Sequence, residues 1–479
     1  MNPIKIGHKR ELFWDDYLIN TSLTGAYLRQ HAPREGHETL IVMDRPWEGD
    51  GCDYMSIIRD KGIYRMYYMG WHMLNPEMTA HDCLSQVRIC CIESSDGIHW
   101  ERPELDVPYG AYQKTNIVLD AGEKVACTFH AFIDENPACP PDERIKATVV
   151  TTNGTGQEHY TLMCYTSADG YHFEEACQIT SKGMFDTQNV AFWSETHGKY
   201  FCFIRDFHGD PALDLNEKIR DIRVIVSEDF KTWTDPVELD FGGKDDVPLY
   251  TNAVFQYPRA PQMMIGMPTR YVERLQWNGN FDQLPDAGMR AKRSAIHPRY
   301  GLTTTDCILM TSRDGFRWNR FDEAWLSPGI ERPMTWVYGD CYPAVGVIQT
   351  KSDLPGAPDE LSLYSYDGHW SMKGTYLRRH TIRMDGFLSY RADYAPQKLV
   401  TKPLLYEGGR LHLNFATSAR GYVYVTARCG KEELHSCELF GDTLDRTVPF
   451  DGDLEAFRGK EVTLEFTMSD ADLYSMIFE

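Results

Sequence analysis

The sequence predicts an all-β protein, a five-bladed β-propeller followed by a C-terminal, jelly-roll-like β-sandwich. Three observations lead there. First, one turn phrase recurs: "IESSDGIHW" at Ile92–Trp100, "YTSADGYHF" at Tyr165–Phe173, "IVSEDFKTW" at Ile225–Trp233 and "LMTSRDGFRW" at Leu309–Trp318, with a fainter echo, "LYSYDGHW", at Leu363–Trp370. Second, no long window carries a 3.6-residue period, whereas short runs of Tyr, Ile, Val, Phe and Met alternate with Gly, Asp and Asn turns, the pattern of strands. Third, the texture changes after Asp393 to a meander with alternating faces, "KLVTKPLLYEGGRLHLNFATSARGYVYVTARCG".

The turn aspartates Asp96, Asp169, Asp229, Asp314 and Asp367 lie 73, 60, 85 and 53 residues apart. A four-stranded blade takes roughly 40–50 residues before loops stretch it. Within the phrase, the Ser and Asp side chains can bond backbone amides of the turn, and Gly takes a positive φ at no steric cost. The aromatic ring three or four residues after the Asp then folds back between neighbouring blades. Five phrases imply five blades.

The remaining elements follow in order. "ELFWDDYLIN" at Glu11–Asn20 is expected to close the ring by pairing with Thr375–Asp393. "DYMSIIRDKGIYRMYYMGW" reads as a hairpin turning at Asp60–Gly62, and "NVAFWSETHGKYFCFIRD" as another turning at Thr196–Gly198. The domain boundary is placed at residues 395/396: 1–395 as propeller, 396–479 as sandwich.

Composition restricts the partners. A net charge of −21 in 479 residues argues against phosphate-backbone binding, which needs clustered Lys and Arg, and against adsorption to anionic membranes. No apolar run approaches a membrane span or a signal peptide. The 13 cysteines show neither CxxC pairs nor zinc spacing, which points to free thiols in a reducing cytoplasm. There is no metal-ligand motif, Walker loop, dinucleotide fingerprint or nucleophile elbow, so no cofactor is expected. No pattern specifies an oligomeric state.

The turn phrases, "PWE" at Pro46–Glu48 before the first blade strand, and "RMDGF" at Arg383–Phe387 before the sandwich make the chain resemble the bacterial glycosyl hydrolases similar to the N-terminal domain of family 32 enzymes. These are five-bladed propellers related to families 43, 68, 117 and 130. The resemblance spans nearly the whole chain and implies a glycosidase with a small carbohydrate substrate. The chain departs from the family 32 pattern: it has no "NDPNG", no proline after Arg205–Asp206, and no "EC" in a strand context. Fructosidase activity is therefore not expected.

Propeller sites lie at one mouth of the central channel, and glycoside cleavage needs one carboxyl group as acid and a second as nucleophile or base. In the first blade, Glu48, Asp50 and Asp53 precede or open the innermost strand; Asp53 is the catalytic candidate and Glu48 a substrate contact, with Trp71 closing the same hairpin. In the second, His130 and Asp134 share a strand face. In the third, "MFDTQNVAFW" places Asp186 beside Asn189, and Arg205–Asp206 ends the hairpin as a hydroxyl-binding dyad or a structural ion pair. Asn252 and Arg270 are the candidates of the fourth blade, Asp340 of the fifth. The expectation is that Asp53, Asp134 and Asp186 converge, with Asp186 as acid, Asp53 as base or nucleophile and Asp134 as tuner. A glycoside phosphorylase and a non-catalytic carbohydrate-binding propeller remain the alternatives.

Overall fold

Four of the repeated turn phrases each close the third strand of an antiparallel sheet, and these sheets are blades of a five-bladed propeller. The structure is a computed structural model. It describes residues 2–75, 77–80, 87–120, 125–154, 159–210, 212–213, 217–333 and 335–479.

From the channel outward, the first blade pairs Asp53–Asp60, Ile63–Gly70, Arg88–Ser94 and Ile117–Leu119, and the second pairs Val125–Ile133, Ile145–Thr152, Tyr160–Ser167 and Glu174–Thr180. The third holds Val190–Ser194, Lys199–His208, Ile219–Ser227 and Val237–Glu238. The fourth runs Phe255–Gln256, Met264–Gly266, Thr303–Ser312 and Asn319–Leu326, with Thr269–Glu273 also paired to Thr303–Ser312. The fifth holds Ile348–Thr350, Glu360–Asp367 and Thr375–Ile382. Its outermost strand is Arg34–Met43, which pairs with Thr375–Ile382 and closes the ring.

The corner chemistry is the same in four blades. Oδ1 of Asp96 accepts the amides of Ile98 and His99, both at 2.8 Å. Asp169, Asp229 and Asp314 accept the corresponding pairs at 2.7–3.0 Å. Gly97, Gly170 and Gly315 follow at φ +77°, +81° and +79°, and Phe230 takes this place in the third blade at +61°. Each corner docks on the second strand of the preceding blade. The Trp100 ring meets Tyr364 at 5.5 Å, Phe173 meets Tyr67 at 5.7 Å and Trp318 meets Phe203 at 5.7 Å. Added side-chain bulk has no room there: a Cβ on Gly97 would lie 2.4 Å from Ile348. The fifth echo is different, because Asp367 ends a second strand and pairs with Arg332 and Arg378, both at 2.7 Å.

The C-terminal sandwich is built on two long paired strands, Leu411–Cys429 and Glu461–Phe478. Its core includes Phe13, Leu399, Phe415, Val425, Phe466 and Leu473. The chain before the propeller belongs here as well. Ile4–Lys5 pairs with Leu404–Leu405, Glu11–Leu12 with Met476 and Ser475, and Tyr27–Gln30 with Leu388–Arg391. This corrects two expectations. Glu11–Asn20 does not close the propeller, since Phe13, Leu18 and Ile19 are buried in the sandwich core. The strands on both sides of residues 31–382 belong to the sandwich sheet, so a boundary at 395/396 divides that sheet.

Asp385 ties the two parts together. Its carboxylate accepts from Tyr257 Oη at 2.7 Å and Ser475 Oγ at 2.6 Å, and it pairs with Arg259 at 2.9 Å. Asp442, Asp445 and Asp451 serve local contacts with Arg383, His412 and the His435 amide, away from the channel. No helix among the described residues is long and apolar enough to cross a membrane, and every described cysteine is a free thiol.

Candidate active site

Each blade begins at its innermost strand, and these strands share one direction around the axis. Residues that precede them therefore collect at one mouth and residues that follow them at the other. Asp53 opens the first innermost strand and Asp186 precedes the third. Both line one cavity of about 110 Å³. Asp134 follows its strand, Val125–Ile133, so it lies away from that mouth. It pairs with Lys146 at 2.8 Å and accepts from Tyr200 Oη at 2.8 Å. Of the three expected carboxylates, the structure brings two together.

The two carboxyl groups sit in unlike surroundings. Asp53 is 1% exposed, and its Oδ1 has no hydrogen-bond partner among the described residues. Burial pushes its pKa well above the usual carboxylate range; the neighbouring Trp71 indole opposes this, without completing a hydrogen bond to Oδ1. Its nearest imidazole, His369, stops 4.0 Å away and is itself held neutral by burial and by the Arg293 charge. Asp186 keeps 31% of its side-chain surface and pairs with Arg205 at 3.3 Å. Arg205 also donates to Met184 O at 3.0 Å and stacks on Phe207 at 4.0 Å.

The walls are aromatic. Trp71 and Trp370 meet edge to face at 6.4 Å, and Tyr300 stands against Trp370 at 5.2 Å. Tyr250 Oη lies 3.1 Å from Tyr54 Oη and 3.2 Å from Tyr338 Oη, so three phenols share one hydrogen-bonded chain. Rings of this kind bury apolar area while presenting polar tips. His369 fits only because position 339 is glycine, at φ +100°, where a Cβ would lie 2.3 Å from the imidazole.

Two short helices, α1 (Ala287–Ile296) and α2 (Pro298–Leu302), are inserted in the fourth blade and supply the rest. Arg293 of α1 is 1% exposed and donates to the carbonyls of His369 and Trp370, fixing those rings from behind. Pro298 starts α2, a position where a missing N–H costs nothing, and α2 carries Arg299 and Tyr300 into the cavity wall.

Among the other expected contacts, Trp71 and Arg205 belong to this site, the latter through Asp186. The rest do not. Glu48 is fully buried: it accepts from Tyr68 at 2.6 Å, from Arg102 twice at 2.8 Å and from the Arg45 amide at 2.9 Å, which leaves it saturated. His130 lies on the stretch of chain leading to the other mouth and contacts Ala191 O at 3.2 Å; burial lowers its pKa to about 4. Asn189 braces the loop carbonyls of Phe185 and Thr187, and Asn252 those of Gln188 and Phe203. Asp206 pairs with Arg223 at 3.2 Å, and Arg270 with Asp306 at 2.5 Å. Asp340 is buried outside the cavity lining, with Oδ2 accepting the Val337 amide at 3.0 Å; burial pushes its pKa up to about 7.

Sequence reading missed His369 and Trp370 because their phrase mimics a blade corner. It missed Arg299 and Tyr300 because strand searching passed over "GMRAKRSAIHPRY", whose run of helix formers before a proline was the available signal. Among the described residues, one group has metal-ligand spacing: His208, Asp221 and Glu238. It lies on the third blade, where Asp221 already pairs with Arg223 at 3.3 Å and with His208 at 3.0 Å.

No protein-family model matches the chain, and no curated protein matches it. Among solved structures, it is similar to an N-acetylgalactosamine deacetylase from F. plautii in complex with blood group B trisaccharide, at 11% identity over 74% of this chain and 94% of that one, TM-score 0.44. It is similar to a structure of the GH130 family of mannoside phosphorylases, which contains glycoside hydrolases that target β-1,2 mannosidic linkages in Candida mannan, at 11% identity over 76% and 96%, TM-score 0.45. A third is an endo-arabinase from Bacteroides thetaiotaomicron, at 11% identity over 74% and 98%, TM-score 0.41.

Proposed function

We propose that the protein is a glycoside hydrolase whose acid and base are Asp53 and Asp186. One observation carries this reading: two carboxyl groups line a single aromatic-walled cavity in unlike surroundings, Asp53 fully buried and Asp186 ion-paired to Arg205 and partly exposed. Pairs of that kind sort into an acid and a base by surroundings alone. Asp53, buried and without a cationic partner among the described residues, is pushed toward its protonated form and serves as general acid to the leaving oxygen. Asp186, ion-paired and partly open to water, serves as base or nucleophile. These roles reverse those expected from the sequence, because the sequence gives no measure of how deeply Asp53 is buried. The aromatic walls supply stacking faces for a sugar ring.

Phosphorolysis is the second reading, and Arg299 in the cavity wall is the observation that favours it. An aryl-glycoside array run with and without inorganic phosphate separates the two. Hydrolysis gives turnover that is independent of phosphate and falls by about 10²-fold or more in Asp53→Asn and Asp186→Asn, the scale of a lost acid or base. Phosphate-dependent turnover, or wild-type rates in both variants, rejects the hydrolase reading.

A further inference from the structure

We propose that Cys164 and Cys177 form a redox-active dithiol: a hydroperoxide joins them in a reversible disulfide that fastens the outermost strand of the second blade to its neighbour. The pair lies outside the cavity lining, and its chemistry does not depend on the reaction proposed there.

Strand register sets the geometry. Cys164 lies on the third strand of the blade, Tyr160–Ser167, and Cys177 on the fourth, Glu174–Thr180, and the antiparallel ladder makes them direct partners. Residues opposite one another in such a ladder stand about 4.5–5.5 Å apart at Cα and project from the same face. A disulfide spans about 4.4–6.8 Å between Cα atoms, so the bond forms without moving the backbone. Cys164 is buried in the apolar cluster between the second and third blades, and Cys177 is half-buried at the edge of that cluster, where an oxidant reaches it. Among the described cysteines no other two are strand partners. Cys90 and Cys91 are consecutive in one strand and so project from opposite faces.

The two thiols differ in role. Cys164 donates a hydrogen bond to the Cys177 sulfur, and this contact, aided by the Lys231 and Lys146 charges, lowers the Cys177 pKa against the opposing effect of burial. The same contact, with burial, raises that of Cys164. The thiolate is the nucleophile toward a peroxide, so Cys177 reacts first. Its sulfur bonds to one peroxide oxygen, the O–O bond breaks, and the departing oxygen takes up a proton and leaves as water. Cys164 then attacks the sulfenic sulfur. The S–S bond forms, the S–O bond breaks, and the Cys164 proton leaves with that oxygen as a second water. In total two thiols are oxidised to one disulfide and hydrogen peroxide is reduced to two waters. The bond closes the loop of residues 165–176, and such closure stabilises a fold by restricting the unfolded chain.

The test treats the reduced full chain with hydrogen peroxide at pH 7.5, blocks the remaining thiols with N-ethylmaleimide and digests after glutamate. Glu174 and Glu175 lie between the two cysteines, so cleavage there places them on separate peptides. Those peptides are expected as a linked pair before any other disulfide forms, and dithiothreitol releases them. The urea midpoint of the oxidised protein is expected to rise by about 0.5 M or more, with no such rise in Cys177→Ser. Cys164→Ala leaves Cys177 as a sulfenic acid that dimedone traps. Should that variant not fold, Cys177→Ser, which alters only a half-buried sulfur, carries the comparison. A first disulfide between other cysteines, or Cys177 driven to sulfinic acid while Cys164 keeps its thiol, overturns the proposal. No Cys164–Cys177 link in excess peroxide, or an oxidised protein with an unchanged midpoint, overturns it too.

Discussion

His369 Nδ1 faces Asp53 Oδ2 across 4.0 Å, and burial works against a charge on either group. Burial lowers the pKa of the imidazole and raises that of the carboxyl, so each is pushed toward its neutral form. An acid whose folded-state pKa is raised adds stability that is complete below its unfolded pKa and is lost as pH rises through the folded value. Asp53→Asn removes that loss. The variant is expected to be more stable than wild type at pH 7.5 by at least about 1.4 kcal/mol, the worth of one pKa unit, with the gap closing toward pH 4. Chemical denaturation at the two pH values reads it. Equal stability of the two proteins at pH 7.5 contradicts a buried, protonated Asp53.

Asp340 makes a second pH prediction, away from the cavity. Its pKa rises from an ordinary 3.8 to about 7 through burial. By the same sign, wild type loses stability from about pH 4 to pH 7 and levels off above, by at most about 4 kcal/mol for a shift of that size. The Asp340→Asn protein lacks this component. Denaturant midpoints measured across the range check it, and slopes that match in the two proteins reject it.

The blade corners make a structural prediction. Trp318 is 2% exposed and packs on Phe203 of the preceding blade. Trp318→Ala is expected to cost about 3–5 kcal/mol, as for a large buried aromatic, with KM unchanged for the folded fraction. A loss below about 1 kcal/mol means that the corner does not hold the blades together.

Asp134 distinguishes stability from catalysis. Its pair with Lys146 is buried, at side-chain exposures of 0% and 6%. Asp134→Asn removes the closer carboxylate from the Lys146 ammonium, leaving Glu143 at 3.8 Å, and is expected to cost about 1–3 kcal/mol while turnover per folded molecule stays within a factor of about two. A drop in turnover at wild-type stability reverses this assignment.

The propeller was legible because its repeat lies in local chemistry. Ser94, Asp96, Gly97 and Trp100 make a turn whose parts are all within seven residues, and that repeated local turn marks four of the five blades. Ring closure was not legible, because Arg34–Met43 and Glu11–Leu12 are both plausible strands and only the tertiary pairing decides between them. Half of the candidate site was readable by position: Asp53 opens one innermost strand and Asp186 precedes another. Glu48 shows the limit. A carboxylate at the right position was already saturated by Arg102, 54 residues away. His369, Arg299 and Tyr300 reach the cavity through the turn after the fifth blade's second strand and a helical insertion that no strand count anticipates.

The central claim is that Asp53 donates a proton to the leaving oxygen while Asp186 acts on the sugar. The most direct measurement compares kcat/KM of wild type, Asp53→Asn and Asp186→Asn on a series of aryl glycosides graded by leaving-group acidity. A general acid matters least when the leaving group needs no proton. The Asp53→Asn deficit is therefore expected to shrink from about 10²-fold or more on the poorest leaving group toward wild-type rates on dinitrophenolate, while Asp186→Asn stays impaired across the series. A deficit in Asp53→Asn that does not vary with the leaving group, or wild-type rates in both variants throughout, contradicts the account.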